Sequence, residues 1–566
     1  MPPARLALSA LPAVALFAVG FWQFPLAVIG PGFTHLPGDL VDSRFNHYVL
    51  EHGHRWLTGQ QRRFWDAPFC YPAPRTIVGS DAHIGTLPVY AAARLAGADP
   101  ERAYQFWWLA VTTLTFAAAY GSARAVGVGP VGAAVAAYLF AFGLPVQAKL
   151  GHPQLAPRFL VPVALAAAWR FAWRPSWKPL AVAAAATVGQ FACGIYVGAF
   201  LAGILVLGAV ALAAVAGRAL PWGELVRPGR AEAARRGAVL AAAAGGLFLL
   251  LWPYLRSADE RPATPREIVR EMIPDPLAWV RPAPTAAAWG WLADRVAAVG
   301  LTEYEPEKRL FPGAVPVAGL VVGLGLAGWA TARRRAGPDL VTLAAVAALV
   351  VLPVPLLVVQ ADGYAPYDAL LGLPGVAKVR AVGRVAVVLL APLAVTVGAA
   401  VTLAGRFRHG WVVGAGVVLL TIADQWTVPA DAPVWPGLRY PMAEARERRE
   451  ALAEAIRRDP GPPAKAVYVF SGRDDRDHPL VPLGVQLDAM WAARDAGVPT
   501  INGWTGYPPP DWFPFHTPAE LCHWLRLRDR LTDEFLAGLV LLGEPAGPPS
   551  DLDRELLAWH RRCRRP

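Results

Sequence analysis

Charge is what this sequence has least of. Only 17% of its 566 residues are Asp, Glu, Lys or Arg, against roughly 25% in a soluble domain. Hydrophobic residues make up 55%, and the mean hydropathy is +0.35. The deficit of charge sits in long apolar blocks flanked by Arg, Pro or Gly, which excludes a simple cytosolic enzyme, a disordered chain and a fibrous repeat. Cysteine is scarce too. Cys70, Cys193, Cys522 and Cys563 have no C-x-x-C spacing, so neither a zinc ribbon nor a disulfide scaffold is indicated, and a Cys522–Cys563 pairing is left open. No G-x-G-x-x-G or phosphate loop stands in a strand–helix context, so no nucleotide site is expected. No H-x-x-x-H or H-E-x-x-H spacing supports a zinc helix. The net charge of +11 would point to nucleic acid in a soluble protein; in a membrane chain it asks which side of the bilayer holds the arginines.

A spanning helix needs about 20 mostly apolar residues. By that rule the sequence predicts eleven spans: 6–30, 101–123, 129–147, 156–172, 179–194, 196–216, 237–256, 312–332, 338–359, 383–404 and 410–428. The stretch 179–216 also reads as one long kinked helix; the split is placed at Cys193-Gly194-Ile195-Tyr196. The opening segment has too long an apolar stretch for a signal peptide and no small-residue cleavage site before Pro31-Gly32, so it reads as an uncleaved anchor. Arg218, Arg227, Arg230, Arg235 and Arg236 fill one short loop, Arg333-Arg334-Arg335 a second, and Arg406 and Arg408 a third. Arg170, Arg174 and Lys178 cluster in a fourth, and Arg124 sits in a fifth. Placing all five in the cytoplasm is self-consistent if residues 83–97, short and carrying Pro88 and Arg94, lie at the interface.

The expected architecture is an all-α polytopic bundle in the cell (inner) membrane, amino end cytoplasmic. Residues 1–428 form the membrane domain, with a long first external loop at 31–100. Residues 429–566 form a small extracytoplasmic α/β domain, of a size that supports its own core. In it 441–457, 484–496 and 518–531 read as helices, and 466–470 and 539–542 as short buried strands. The spans show almost no charge; Gln190 is an exception, read as packing glue.

The chemistry-bearing residues fall in the external segments. After the first span come Asp39 and Asp42, three apart on a segment that turns helical and so facing the same way. A carboxylate held at the membrane surface suits proton abstraction from a hydroxyl that attacks an activated carbon. The competing structural reading has Asp39 capping the helix and Asp42 paired with Arg44 or another arginine. His47, His52, His54 and His83 share that loop and read as hydrogen-bonding residues, while a divalent cation clamped by the aspartates is left open. His152 and Gln154, in a Gly-His-Pro-Gln turn, either line a surface site or serve the turn alone.

Lys378, Arg380 and Arg384 lie within seven residues at the mouth of a span, on the side where positive charge is disfavoured, which calls for an anion. A lipid phosphate answers, since arginine binds phosphate bidentately and stabilises a leaving group's charge; the alternative is a snorkelling arginine on ordinary headgroups. In the loop 257–311 most charges read as a solvated face, with Glu303 and Glu271 singled out weakly. Trp504, Tyr507 and Trp512 are candidates to stack on sugar rings or ordinary packing residues.

Gly38-Asp39-Leu40-Val41-Asp42 after the first span, the long interfacial loop, and Gly151-His152-Pro153-Gln154-Leu155 after the third resemble the GT-C class of polytopic glycosyltransferases, which use polyprenyl-phosphate-linked sugars. Residues 374–384 resemble a P-G-x-x-x-x-R-x-x-x-R pattern of bacterial relatives. The resemblance implies an external active site with Asp39, and Asp42 beside it, as base. It implies Arg380 and Arg384 on the carrier phosphate, with His152 and Gln154 secondary; Lys378 beside the arginines, and His83 and Glu303 in the secondary set, are candidates read from the residues themselves. The partners are then a polyprenyl-phosphate sugar, an acceptor hydroxyl on an envelope glycan, lipid or protein, and membrane lipid. No W-W-D signature of oligosaccharyltransferases is present in the tail. The rival readings are a transporter or flippase of lipid-linked glycans, which needs a polar path through the bundle, and a non-catalytic envelope assembly protein.

Overall fold

A computed structural model describes residues 3–258, 260–261, 264–299, 304–333, 336–361, 363–373, 376–471, 481–543 and 550–563. In chain order the helices that matter here are α1 (Pro3–Phe21), α2 (Asp42–Leu57), α3 (Leu87–Leu95), α4 (Pro100–Ala125), α5 (Pro130–Phe142), α6 (Leu160–Trp173), α7 (Trp177–Cys193) and α8 (Ile195–Ala216). They continue with α9 (Trp222–Val226), α10 (Arg230–Arg256), α11 (Ala314–Arg333), α12 (Leu340–Val351), α13 (Ala386–Ala404), α14 (Gly410–Asp424), α15 (Met442–Arg457), α16 (Val481–Ala496) and α17 (Pro518–Arg526).

Each of the eleven expected stretches carries a helix, and the chain is a multi-pass membrane protein. Among the described residues, eight helical stretches are long and apolar enough to cross a bilayer. The other three differ for physical reasons. Polar residues such as Tyr104, Gln105, Thr112 and Thr115 run through α4, and α7 and α14 have 17 and 15 residues, short for a hydrocarbon core of about 30 Å. α3, at nine residues, is too short to cross.

The most enclosed helices are α5 and α13. A Cβ on Gly132 would lie 2.2 Å from the Gly398 carbonyl, so the two backbones touch, as small residues allow between membrane helices. Gly194, in extended conformation between α7 and α8, lies where a Cβ would come within 3.1 Å of the Gln154 carbonyl. The bundle is less free of charge than its sequence reads. Arg158, only 1% exposed, donates to the Phe140 carbonyl at 3.0 Å and lies 5.2 Å from that ring's centroid. Gln190 donates beside it to the Pro157 carbonyl at 2.8 Å.

At one end of the bundle the first loop and the tail share a core. Strand β1 (His35–Pro37) pairs antiparallel with β2 (Arg439–Pro441), His35 opposite Pro441. β3 (Ala466–Val469) and β4 (Leu539–Leu542) pair in parallel, where the tail's apolar runs predict strands. Phe45, Tyr48 and Phe69 of the first loop pack in one cluster with Tyr468, Trp491 and Trp524 of the tail. Ion pairs reinforce this seam: Arg44–Asp488 at 2.6 Å and Arg446–Asp99 at 2.7 Å, with Arg449 reaching Glu101 at the start of α4. Arg44 is therefore not the partner of Asp42. His47 stacks on Tyr104 at 4.5 Å and bonds the Pro100 carbonyl, and His52 bonds the Phe64 carbonyl; both are core residues. All four cysteines are free thiols.

Candidate active site

Gly38 starts the site. Its φ of +91° favours glycine, and a Cβ there would lie 2.5 Å from Ser43 and 2.9 Å from the Leu150 carbonyl. The chain turns sharply enough for Asp39 to reach over the start of α2. Asp39 Oδ1 accepts from the Val41 and Ser43 amides at 3.1 and 3.0 Å, so it does cap the helix. Oδ2 points at the next loop, where a Cβ on Gly151 would meet it at 3.3 Å. Burial, with the charge of Asp42 adding to it, raises the Asp39 carboxyl to about 6.

Asp42 has the same chemistry and different neighbours. The Trp504 indole N–H donates to Oδ1 at 3.0 Å, and His152 Nδ1 lies 3.0 Å from Oδ2. Burial works to raise this carboxyl too, but His152, Trp504 and Arg384 outweigh it and hold Asp42 below its ordinary value. His152 Nε2 faces Glu307 Oε1 at 2.9 Å. Burial and Arg384 work to discharge the imidazole, and the carboxylates at its two nitrogens win, so its pKa is raised. Glu307 is the hub behind it. Arg384 Nε donates to it at 3.0 Å and its Nη2 bonds the same oxygen. Lys149 reaches the other oxygen at 3.2 Å. These cations overcome burial and keep Glu307 well below the usual carboxylate range.

Lys378 and Arg380 stand differently from Arg384. Both are half-buried, and among the described residues neither has a carboxylate partner. They flank Tyr507, with Lys378 Nζ 5.7 Å and the Arg380 guanidinium 5.2 Å from its ring centroid. Tyr507 donates to the Lys378 carbonyl at 2.9 Å and Arg380 to the Gly506 carbonyl at 3.1 Å. Tyr196 lies between the two cation sets: Arg384 sits 5.2 Å from its ring centroid, and its hydroxyl bonds the Lys378 carbonyl at 3.4 Å. Gln154 and His83 are buried one layer back. Asn46 donates to Gln154 at 3.0 Å, bonds His83 at 2.6 Å and donates to the Asp42 carbonyl at 2.6 Å. Glu303 and the Pro374-Gly375 pair lie outside the described residues.

The fold has solved counterparts. It is similar to the oligosaccharyltransferase of Archaeoglobus fulgidus in its apo form, with TM-score 0.50 and 13% identity over 88% of this chain and 64% of that one. The same enzyme tethered with an acceptor peptide containing the NVT sequon matches at TM-score 0.51 and 12% identity, over 93% of this chain and 68% of that one. An arabinofuranosyltransferase, AftD, from Mycobacteria aligns over 90% of this chain and 32% of its own, at TM-score 0.45 and 16% identity. No protein-family description and no curated protein matches. At these identities the likeness to the oligosaccharyltransferase is one of fold.

The acids do not offer a ready cradle for a divalent cation. Both nitrogens of His152 face carboxylates, and both oxygens of Glu307 meet Arg384, His152 or Lys149. Among the described residues no three His, Cys, Asp or Glu side chains converge as metal ligands. Glu307, Lys149 and Tyr196 are the parts that reading the sequence misses. Glu307 sits in an acidic run that looks like a solvated surface, and Lys149 is a single cation just after a span with no motif around it. Trp504 and Tyr507 do lie at the site, whereas Trp512 is a core residue bonded to the Ile501 carbonyl.

Proposed function

We propose that this chain is a membrane glycosyltransferase that moves a sugar from a polyprenyl-phosphate donor to a hydroxyl on an envelope glycan, lipid or protein. One observation carries the reading. A half-buried carboxylate, Asp39, with a pKa near 6, stands at the same end of the bundle as two cations, Lys378 and Arg380; among the described residues its Oδ2 is uncommitted and the cations lack an acid partner. The likeness in fold to the oligosaccharyltransferase supports it. Asp39 Oδ2 takes the acceptor's proton as its oxygen attacks the anomeric carbon, and the bond from that carbon to the phosphate oxygen breaks with inversion. Lys378 and Arg380 meet the charge growing on the phosphate. Asp42, His152 and Arg384, tied through Glu307, fix the wall beside the base. Trp504 and Tyr507 present aromatic faces to the sugar.

We further infer eleven spans, with the amino end inside, the site at the outer face, and a membrane domain at 1–428 followed by an extracytoplasmic domain at 429–566. The large cavity within the bundle is lined by apolar residues, which favours the transferase over a transporter that needs a polar path. Cells lacking this chain should accumulate a polyprenyl-phosphate sugar and lose one glycan by mass spectrometry. Asp39→Asn should fail to restore that glycan, and transfer at the parental rate would refute the base. Lys378→Gln with Arg380→Gln should raise the donor KM by about tenfold or more while leaving the melting temperature within about 1 °C, because neither cation pairs with a carboxylate among the described residues.

A further inference from the structure

The bundle contains a cavity of about 370 Å³, and no residue of the candidate site lines it. Its walls come from α4, α5, α6, α8, α12 and α13, with Trp222 and Leu225 of α9 also lining it. Phe140, Trp169, Leu212, Val346 and Trp222 line it, and Ser122 supplies the one side-chain hydroxyl. It lies toward the far end of the molecule. α4 begins at Pro100, whose carbonyl meets His47, and Ala123 on the cavity wall is about 35 Å farther along the helix axis. α8 begins at Ile195, whose amide donates to Asp81, and Leu212 is about 25 Å beyond it.

The volume is that of a ligand pocket, and the lining has too few polar groups to hold water. Hydrocarbon is the filling that suits it. Arg124 and Arg170 adjoin lining residues in sequence, Arg218 and Arg227 lie two positions from the lining residues Leu220 and Leu225, and among the described residues none of the four pairs with a carboxylate. The acids available are few: Glu232 is taken by Arg236 at 2.9 Å, and the exposed Glu224 of α9 is one carboxylate among these arginines. Trp222 is 49% exposed at the rim, where an indole suits the boundary of headgroup and acyl chain. We propose that this end binds one anionic phospholipid, with one acyl chain in the cavity and its phosphate against Arg218, Arg227 and Arg170. The site is independent of the transferase reading.

The test is native mass spectrometry of the full chain, delipidated in a mild detergent and titrated with phosphatidylglycerol or with phosphatidylcholine of the same chains. One phosphatidylglycerol should bind, at least about tenfold more tightly than phosphatidylcholine. Each of Arg218→Gln and Arg227→Gln should weaken phosphatidylglycerol by about fivefold and leave phosphatidylcholine unchanged. Ala168→Trp, on the cavity wall, should weaken both lipids. Equal binding of the two lipids, or indifference of phosphatidylglycerol to the arginine variants, would overturn the proposal, as would its displacement by a polyprenyl phosphate at one-to-one stoichiometry. The arginines are exposed, so those variants remain informative if Ala168→Trp does not fold.

Discussion

Asp39 and Asp42 are three positions apart, and their surroundings give them opposite properties. Asp39 keeps an oxygen free and a pKa near 6, while Asp42 is held ionised between an indole and an imidazole. A base is active only when deprotonated, so kcat/KM should rise with pH through about 6 and level off above it. Asp39→Asn should abolish that limb along with about 10²–10⁴ of the rate. Stability runs the other way. The folded chain binds the Asp39 proton more tightly than the unfolded chain, so this group loses stability as pH rises from near 4 through 6. Asn keeps an oxygen for the Val41 and Ser43 amides, so Asp39→Asn should melt at the same temperature or higher. Glu307→Ala should do the reverse. It strands Arg384 and Lys149 in a buried site and should cost about 3–5 kcal/mol, read as a lowered melting temperature in detergent. Both aspartates and His152 are legible in the sequence because they sit in short turns beside spans. Glu307 is not, because its partners are 158 residues before it and 77 after it along the chain, and only the fold brings them together.

At the scale of elements, composition makes the helices easy to find and the membrane count harder. Length and apolarity are local, so every expected span is helical, but α4 keeps polar side chains for the neighbours it packs on, and local hydropathy cannot separate a short buried helix from a crossing one. The tail strands β3 and β4 are legible from their unbroken apolar runs. The β1–β2 pair is not, since three residues ending in proline carry no strand pattern. The turn before α2 is the element on which the site most depends. Gly38→Ala forces a side chain into left-handed backbone and against Ser43, and should cost about 1–3 kcal/mol and displace Asp39. A lowered melting point together with lost transfer would be the signature, whereas a fully active and equally stable Gly38→Ala would show the turn to be adaptable.

At the scale of the molecule, the distribution of cations sets the expected orientation. In a cysteine-free background, a cysteine at Gly59 should react with an impermeant thiol reagent from outside intact cells, and one at Arg218 only after permeabilisation. Labelling of both from one side would reverse or dissolve the topology. The seam between first loop and tail has a consequence for biosynthesis. Residue 37 is zipped to residue 439, and the indole that anchors Asp42 belongs to residue 504. The ribosome must therefore have passed the whole bundle and much of the tail before the pocket exists at all. A chain cut short after its last membrane helix would lack the indole that anchors Asp42 and, on the proposed reading, would stay inert, a fail-safe against half-made copies.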